Sequence, residues 1–219
     1  MSTFTDSIKR VVNDVNIIFC KDVGMFSINR SCASCKHATS FCSENCYNIK
    51  LYKAFGHVIR PADERNDLTW DVLNGFWLDK FLSRKRNQTH HVRFASRGEA
   101  LADVEDVYKV AEIVSYNKDR MFSLPTRGWR DKEIKEACEK ILFPIKNIYM
   151  RASIDPSNPD KEVDALKEAG WPTFFFGDDS KIKGRFKCPK TWKHLRGVCP
   201  KCKKGCFSDK RVDIHLKQH

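Results

Sequence analysis

No stretch of the chain approaches the roughly 20 consecutive apolar residues a helix needs to cross a bilayer, which excludes a spanning helix, and no membrane partner is expected. Its opening residues, MSTFTDSIKRVVNDV, lack an apolar h-region and a cleavage site, so the chain is expected to stay in a reducing cytoplasm. Low-complexity stretches and tandem repeats are missing, which excludes linker-like and solenoid architectures. Acidic residues are scarce at one end only. From Lys181 to His219 there are two Asp and no Glu against thirteen Lys and Arg. The net charge is +12, and the first 180 residues carry only +1 of it. A basic tail of this kind suggests a polyanionic partner, with nucleic acid the default for residues 181–219.

Ten cysteines would imply disulfides in a secreted domain, but in a reducing compartment clustered thiols bind metal or do redox chemistry. Eight of the ten fall in two groups. Cys32, Cys35, Cys42 and Cys46 are spaced C-x2-C-x6-C-x3-C; Cys188, Cys199, Cys202 and Cys206 are spaced C-x10-C-x2-C-x3-C. Thiolate quartets suit Zn²⁺ or an iron–sulfur cluster, since both take four soft ligands. In the first group a single C-x2-C pair and a C-x3-C running into a helix favour a [4Fe–4S] cluster over zinc. The second group has a competing reading. Cys199 and Cys202 with His215 and His219 give C-x2-C-x12-H-x3-H, the spacing of a C2H2 zinc finger, with HLKQH as its helix. That reading leaves Cys188 unused and puts Cys206 where such a finger buries its core Phe. A second four-cysteine cluster is therefore expected, with zinc the alternative. Cys20 and Cys138 stand alone and read as small buried hydrophobes.

The apolar pattern predicts a short amphipathic helix over residues 5–19, a strand around Met25–Asn29 and a helix over Ser43–Phe55. A Thr-capped helix over 70–84 follows, with Val72, Leu73, Phe76, Trp77 and Phe81 on its apolar face. Strands at 91–95, 120–124, 147–153 and 172–176 then alternate with helices at 101–114, 131–141 and 159–169. Such alternation builds right-handed βαβ units and a parallel sheet, open or partly closed into a barrel. The rhythm is lost after Ser180. The chain thus divides into an α/β core over 1–180 and a basic, cysteine-rich metal-binding appendage over 181–219.

Each core strand ends in a polar turn: Ser96-Arg97-Gly98-Glu99, Thr126-Arg127-Gly128, Ser153-Ile154-Asp155 and Gly177-Asp178-Asp179. In parallel α/β architectures these turns converge on one rim, where ligands bind. Glu99, Arg127, Arg151, Ser153 and Asp155 are the candidate catalytic residues there. Asp178 and Asp179 read as ordinary turn residues.

Cys42-x3-Cys46-Tyr47 entering a helix, and a strand ending in Ser96-Arg97-Gly98-Glu99-Ala100-Leu101, are similar to radical S-adenosylmethionine enzymes. More closely, the chain resembles a cysteine-rich, radical-SAM-like family encoded mainly by bacteriophages. The likeness lies in VRF-x-S-x-GE, a strand ending in Thr-Arg, the NIYMRASID strand and a terminal cysteine group followed by an aromatic, over about residues 25–219. Position 49, where a C-x3-C-x2-C pattern would place its last cysteine, is Ile49, and Cys32 and Cys35 lie upstream instead. The resemblance implies a partial parallel (βα) barrel and one or two [4Fe–4S] clusters. It also implies an S-adenosylmethionine site at Arg97, Gly98 and Glu99, the last holding the methionyl amine. The expected function is a phage-type redox or radical enzyme acting on a nucleic acid or nucleotide, in the host cytoplasm if viral. The alternative is a non-enzymatic, metal-stabilised nucleic-acid-binding protein, and a host-protein binder stapled by its clusters is the third reading.

Overall fold

Eight strands join in one sheet of order β1-β2-β3-β4-β5-β6-β8-β7. The computed structural model that shows this describes residues 16–21, 23–84, 89–177, 185–197, 199–202, 205–207 and 211–217. The strands are β1 (Ile17–Cys20), β2 (Met25–Ile28), β3 (His91–Phe94), β4 (Met121–Thr126), β5 (Ile148–Ile154), β6 (Thr173–Phe176), β7 (Phe186–Lys187) and β8 (Ile214–Leu216). β1 pairs antiparallel to β2 in a hairpin, and every other pairing is parallel. The chain is α/β, as the strand–helix alternation required.

The helices are α1 (Ser40–Asn45), α2 (Tyr47–Val72), α3 (Gly75–Leu82), α4 (Val104–Tyr116), α5 (Lys132–Ala137, continued by a π turn over Cys138–Leu142), α6 (Asp160–Glu168) and α7 (Pro189–Trp192). Strand alternation sorts the sheet residues onto two faces. Val92, Phe94, Phe122, Leu124, Met150, Ala152 and Ile154 share one core with Leu78, Leu82, Val107, Val110, Ile113, Ile134, Cys138, Leu142 and Leu166 of the helices. Burying these side chains contributes on the order of 1.5–3 kcal/mol each, the main favourable term for the fold. On the opposite face the residues are polar: Ser27, Arg93, Ser123 and Tyr149 lie side by side across β2 to β5.

Three helix expectations are corrected. Of the helix expected over 5–19, residues 1–15 lie outside the described residues, and Ile17–Cys20 is an edge strand. Its β-branched and aromatic run pairs with β2, which overrides the helical spacing. The helices expected over 43–55 and 70–84 divide differently. Tyr47–Val72 is one helix interrupted at Phe55, and Thr69 lies inside it. The next helix starts at Gly75, where Asn74 caps it by accepting from the Trp77 N–H at 3.0 Å. The proposed division at residue 180 falls within 178–184, outside the described residues, as do Asp178 and Asp179. Beyond it, β7 and β8 extend the sheet next to β6.

Candidate metal centres and rim site

The first cysteine group forms the loop between β2 and α2, at the C-terminal ends of the parallel strands. Its entry is clamped to the turn after β3. The Arg30 N–H donates to the Arg97 carbonyl at 3.1 Å. Gly98 has φ +74°, and a Cβ there would stand 2.5 Å from the Arg30 oxygen and 2.6 Å from that of Ser31. Only glycine suits this crossing. Arg30 is fixed by an ion pair to Asp106 at 2.6 Å, and the Ser31 N–H donates to Asp67 at 2.8 Å. Farther along, the Thr39 hydroxyl accepts from the Cys42 N–H at 3.0 Å, capping α1, and donates to Asp155 at 2.6 Å. The Tyr47 hydroxyl donates to the Ser96 carbonyl at 2.8 Å.

Four of the five catalytic candidates meet at this rim. Glu99 is buried, and its carboxylate accepts from the Leu101 N–H (3.1 Å), the Thr126 hydroxyl (2.8 Å) and the Arg127 N–H (2.7 Å). Burial pushes its pKa up against those donors. Arg127 forms an ion pair with Asp155 at 2.7 Å. Burial opposes the charge of Asp155, but donation from Ser157 and Thr39, with Arg127 beside it, outweighs burial and holds the carboxyl below its ordinary value. Ser153 enters through its carbonyl, which accepts from the Trp129 indole N–H at 3.0 Å. Arg97 turns away to Asp63, with an ion-pair contact of 2.7 Å, and lies over the Tyr52 ring.

Arg151 is not a rim residue. Strand alternation puts it on the polar face of β5, where it is fully buried and donates to the carbonyls of Val212 (3.3 Å), Cys206 (3.2 Å) and Gly205 (3.4 Å). It therefore anchors the second cysteine group. Phe207 completes that anchor, buried between His91 and Tyr149 with ring centroids 4.8 and 6.3 Å away.

The thiols of each group lie within electrostatic reach of one another. Cys32 donates a hydrogen bond to Cys46, which lowers Cys46 to about 5 and raises Cys32. Cys35 is pushed up to about 12 by burial, then by the charges of Glu99, Cys42 and Cys46. Burial also raises Cys42, and Arg127 opposes it. In the second group Cys199 is pushed up to about 12 by burial, then by Cys206, Cys188 and Cys202, with Arg93 opposing. Burial raises Cys188 too, and Cys206 and Cys202 add to it. Thiols that raise one another stay protonated on their own, and a soft metal ion or cluster that bound them would displace those protons. The donor chemistry thus fits a soft metal centre in both groups. Among the described residues, no three His, Cys, Asp or Glu side chains are drawn together as a finished ion site.

The zinc-finger reading of the second group meets two observations. Ile214–Leu216 is a strand where the finger needs a helix, and His219 lies outside the described residues. His215 is buried, its Nε2 2.6 Å from the Gly177 carbonyl and its ring between Phe175 and Trp192. Of the lone cysteines, Cys138 is buried in the core as expected, whereas Cys20 is half-buried at the hairpin turn.

Sequence reasoning gave no role at these sites to Thr39, Arg93 or Phe207. Thr39 stands just before SFCSEN, an N-cap signal. Arg93 breaks the apolar pattern of HVRFA on the face turned away from Val92 and Phe94. Phe207 is the aromatic that directly follows the terminal cysteine group. No family model, curated protein or solved structure matches the chain.

Proposed function

We propose that this chain is an iron–sulfur protein with a radical-SAM-like partial barrel, acting as a redox or radical enzyme on a nucleotide or nucleic acid. The observation that carries the reading is the position of the first thiol quartet. It lies at the C-terminal ends of the parallel strands, tied to the rim through Thr39–Asp155 and beside Arg127. That is where parallel α/β folds bind and transform ligands. The strand order β2-β3-β4-β5-β6 follows the chain without reversal, as a singly wound partial barrel requires.

Cys32, Cys35, Cys42 and Cys46 would hold a [4Fe–4S] cluster, and Cys188, Cys199, Cys202 and Cys206 a second. A bound cluster supplies one-electron transfer. The chain's own part is to fix the loop, through the Gly98 crossing and the Asp155 hub, and to set cationic Arg127 and Arg97 near the thiolates. Nucleic-acid contact is supported by the +11 charge of residues 181–219. A cleft of about 480 Å³ beside the cysteine loop, bordered by Lys36, His37, Arg130 and Lys135, adds to it.

One observation favours the non-enzymatic alternative. Both carboxylate oxygens of Glu99 are engaged within the chain, so holding the amine of S-adenosylmethionine requires displacing those donors. EPR of anaerobically reconstituted, dithionite-reduced protein separates the readings. A cluster signal that shifts on adding S-adenosylmethionine supports radical chemistry. A signal that ignores the cofactor leaves redox transfer, and no signal leaves the metal-stabilised nucleic-acid binder.

A further inference from the structure

On the polar face of the sheet, Arg93 differs from the chain's other interior arginines. Arg30, Arg97 and Arg127 each meet a carboxylate, and Arg151 meets three backbone carbonyls. Arg93 has no carboxylate or carbonyl partner among the described residues, and its Nε, like those of Arg30, Arg97 and Arg120, is buried without a hydrogen bond. A buried guanidinium nitrogen left unpaired is costly, and native proteins keep such groups where a ligand or water completes them.

The surroundings specify that ligand. Ser27 and Ser123 flank Arg93 in register on the neighbouring strands. One face of the guanidinium lies over Phe174, 5.7 Å from the ring centroid. Toward the rim Phe176 follows on the same face of β6, edge-on to Phe41 of α1 at 6.1 Å. Tyr47 at the start of α2 and Cys199 of the second group both lie within reach of the Arg93 charge. The Ser27 hydroxyl donates to Asn29; an arginine fork with the Ser123 hydroxyl beside it suits a phosphate, and aromatic rings a few ångströms away suit a base.

We infer that Arg93 anchors the phosphate of a mononucleotide on the inner face of the sheet, between the two cysteine groups. The inference rests on the nucleotide reading above and names the residue that recognises the substrate. The competing role for Arg93 is a counter-charge for the thiolates of the second group.

Isothermal titration of the full-length, anaerobically purified protein with AMP, CMP, GMP and UMP, and with adenosine as the phosphate-free control, tests it. At least one mononucleotide should bind, and adenosine should bind at least about tenfold more weakly than AMP if AMP is among them. Arg93→Gln should weaken the bound mononucleotide by at least about tenfold, the range for losing a charge-assisted fork, without changing adenosine binding. Arg93→Lys keeps the charge without the fork and should fall between; it also serves if the glutamine variant does not fold. Binding of no mononucleotide, or equal binding by wild type and both variants, overturns the site. Arg93→Gln protein that loses iron from the second group yet binds the nucleotide as before assigns Arg93 to the counter-charge role and overturns it equally. Iron and sulfide measured on the same preparation report on the metal reading separately.

Discussion

Thr39 and Asp155, 116 residues apart in the chain, share a hydrogen bond of 2.6 Å that ties the first cysteine loop to the end of β5. The carboxylate oxygen that accepts it also faces Arg127 at 2.7 Å, while its twin accepts from the Ser157 N–H and hydroxyl. One buried carboxylate thus joins the loop, the turn after β4 and the turn after β5.

Asp155→Asn leaves Arg127 buried without its carboxylate. It should destabilise the chain by about 3–5 kcal/mol, the range for breaking a buried pair. Thr39→Val should cost about 1–3 kcal/mol, because it strips a donor from the same oxygen. Urea unfolding of both variants against wild type checks the order. Equal, small effects would mean that the hub does not hold the loop.

Gly98→Ala tests the crossing of the cysteine loop with the turn after β3. The new Cβ would meet backbone oxygens at 2.5 and 2.6 Å, at a φ of +74° that alanine disfavours. The expected loss exceeds about 1 kcal/mol and goes with lower metal content, because the clash falls on the residues leading into Cys32. An unchanged melting temperature with full metal loading would contradict it.

Much of this architecture is legible in the residues themselves. The four later strands and the helices between them follow from clear periods of two and 3.6, and the structure places them within a few residues of the expected bounds. The rim turns are legible because glycine and charge collect after each strand. What could not be read depends on tertiary partners. Ile17–Cys20 is a strand because β2 offers an edge, and Arg151 looks like a rim cation until its strand register turns it toward Cys206. Glu99 stands on the expected turn, yet the fold employs it as an acceptor for three donors.

The pH dependence of stability should carry a histidine contribution. Burial, and then the charge of His90, lowers the pKa of His91, which packs on Phe207. The unfolded chain therefore takes up this proton first. The contribution is fully present above about pH 6.5 and is lost as pH falls through the unfolded value toward the lower native one. Urea midpoints measured on either side of about pH 6.5 should fall less on acidification in His91→Leu than in wild type. Parallel pH profiles would remove His91 from the account.

Arg151→Met should loosen the second cysteine group selectively, since three of the carbonyls that shape its segment lose their donor. Metal bound through Cys202 should decrease, while metal bound through Cys35 stays. Single Cys35→Ala and Cys202→Ala variants supply the two reference levels, and Cys20→Ala should match wild type. Loss of metal from both groups together in Arg151→Met would show that the two centres are not independent.

The central claim is that the two cysteine quartets hold iron–sulfur clusters, and metal and sulfide analysis of anaerobically purified, iron-reconstituted protein tests it most directly. The account predicts brown protein with iron and acid-labile sulfide in equal amounts, about four or about eight of each per chain. Stoichiometric zinc without sulfide after the same reconstitution would contradict it.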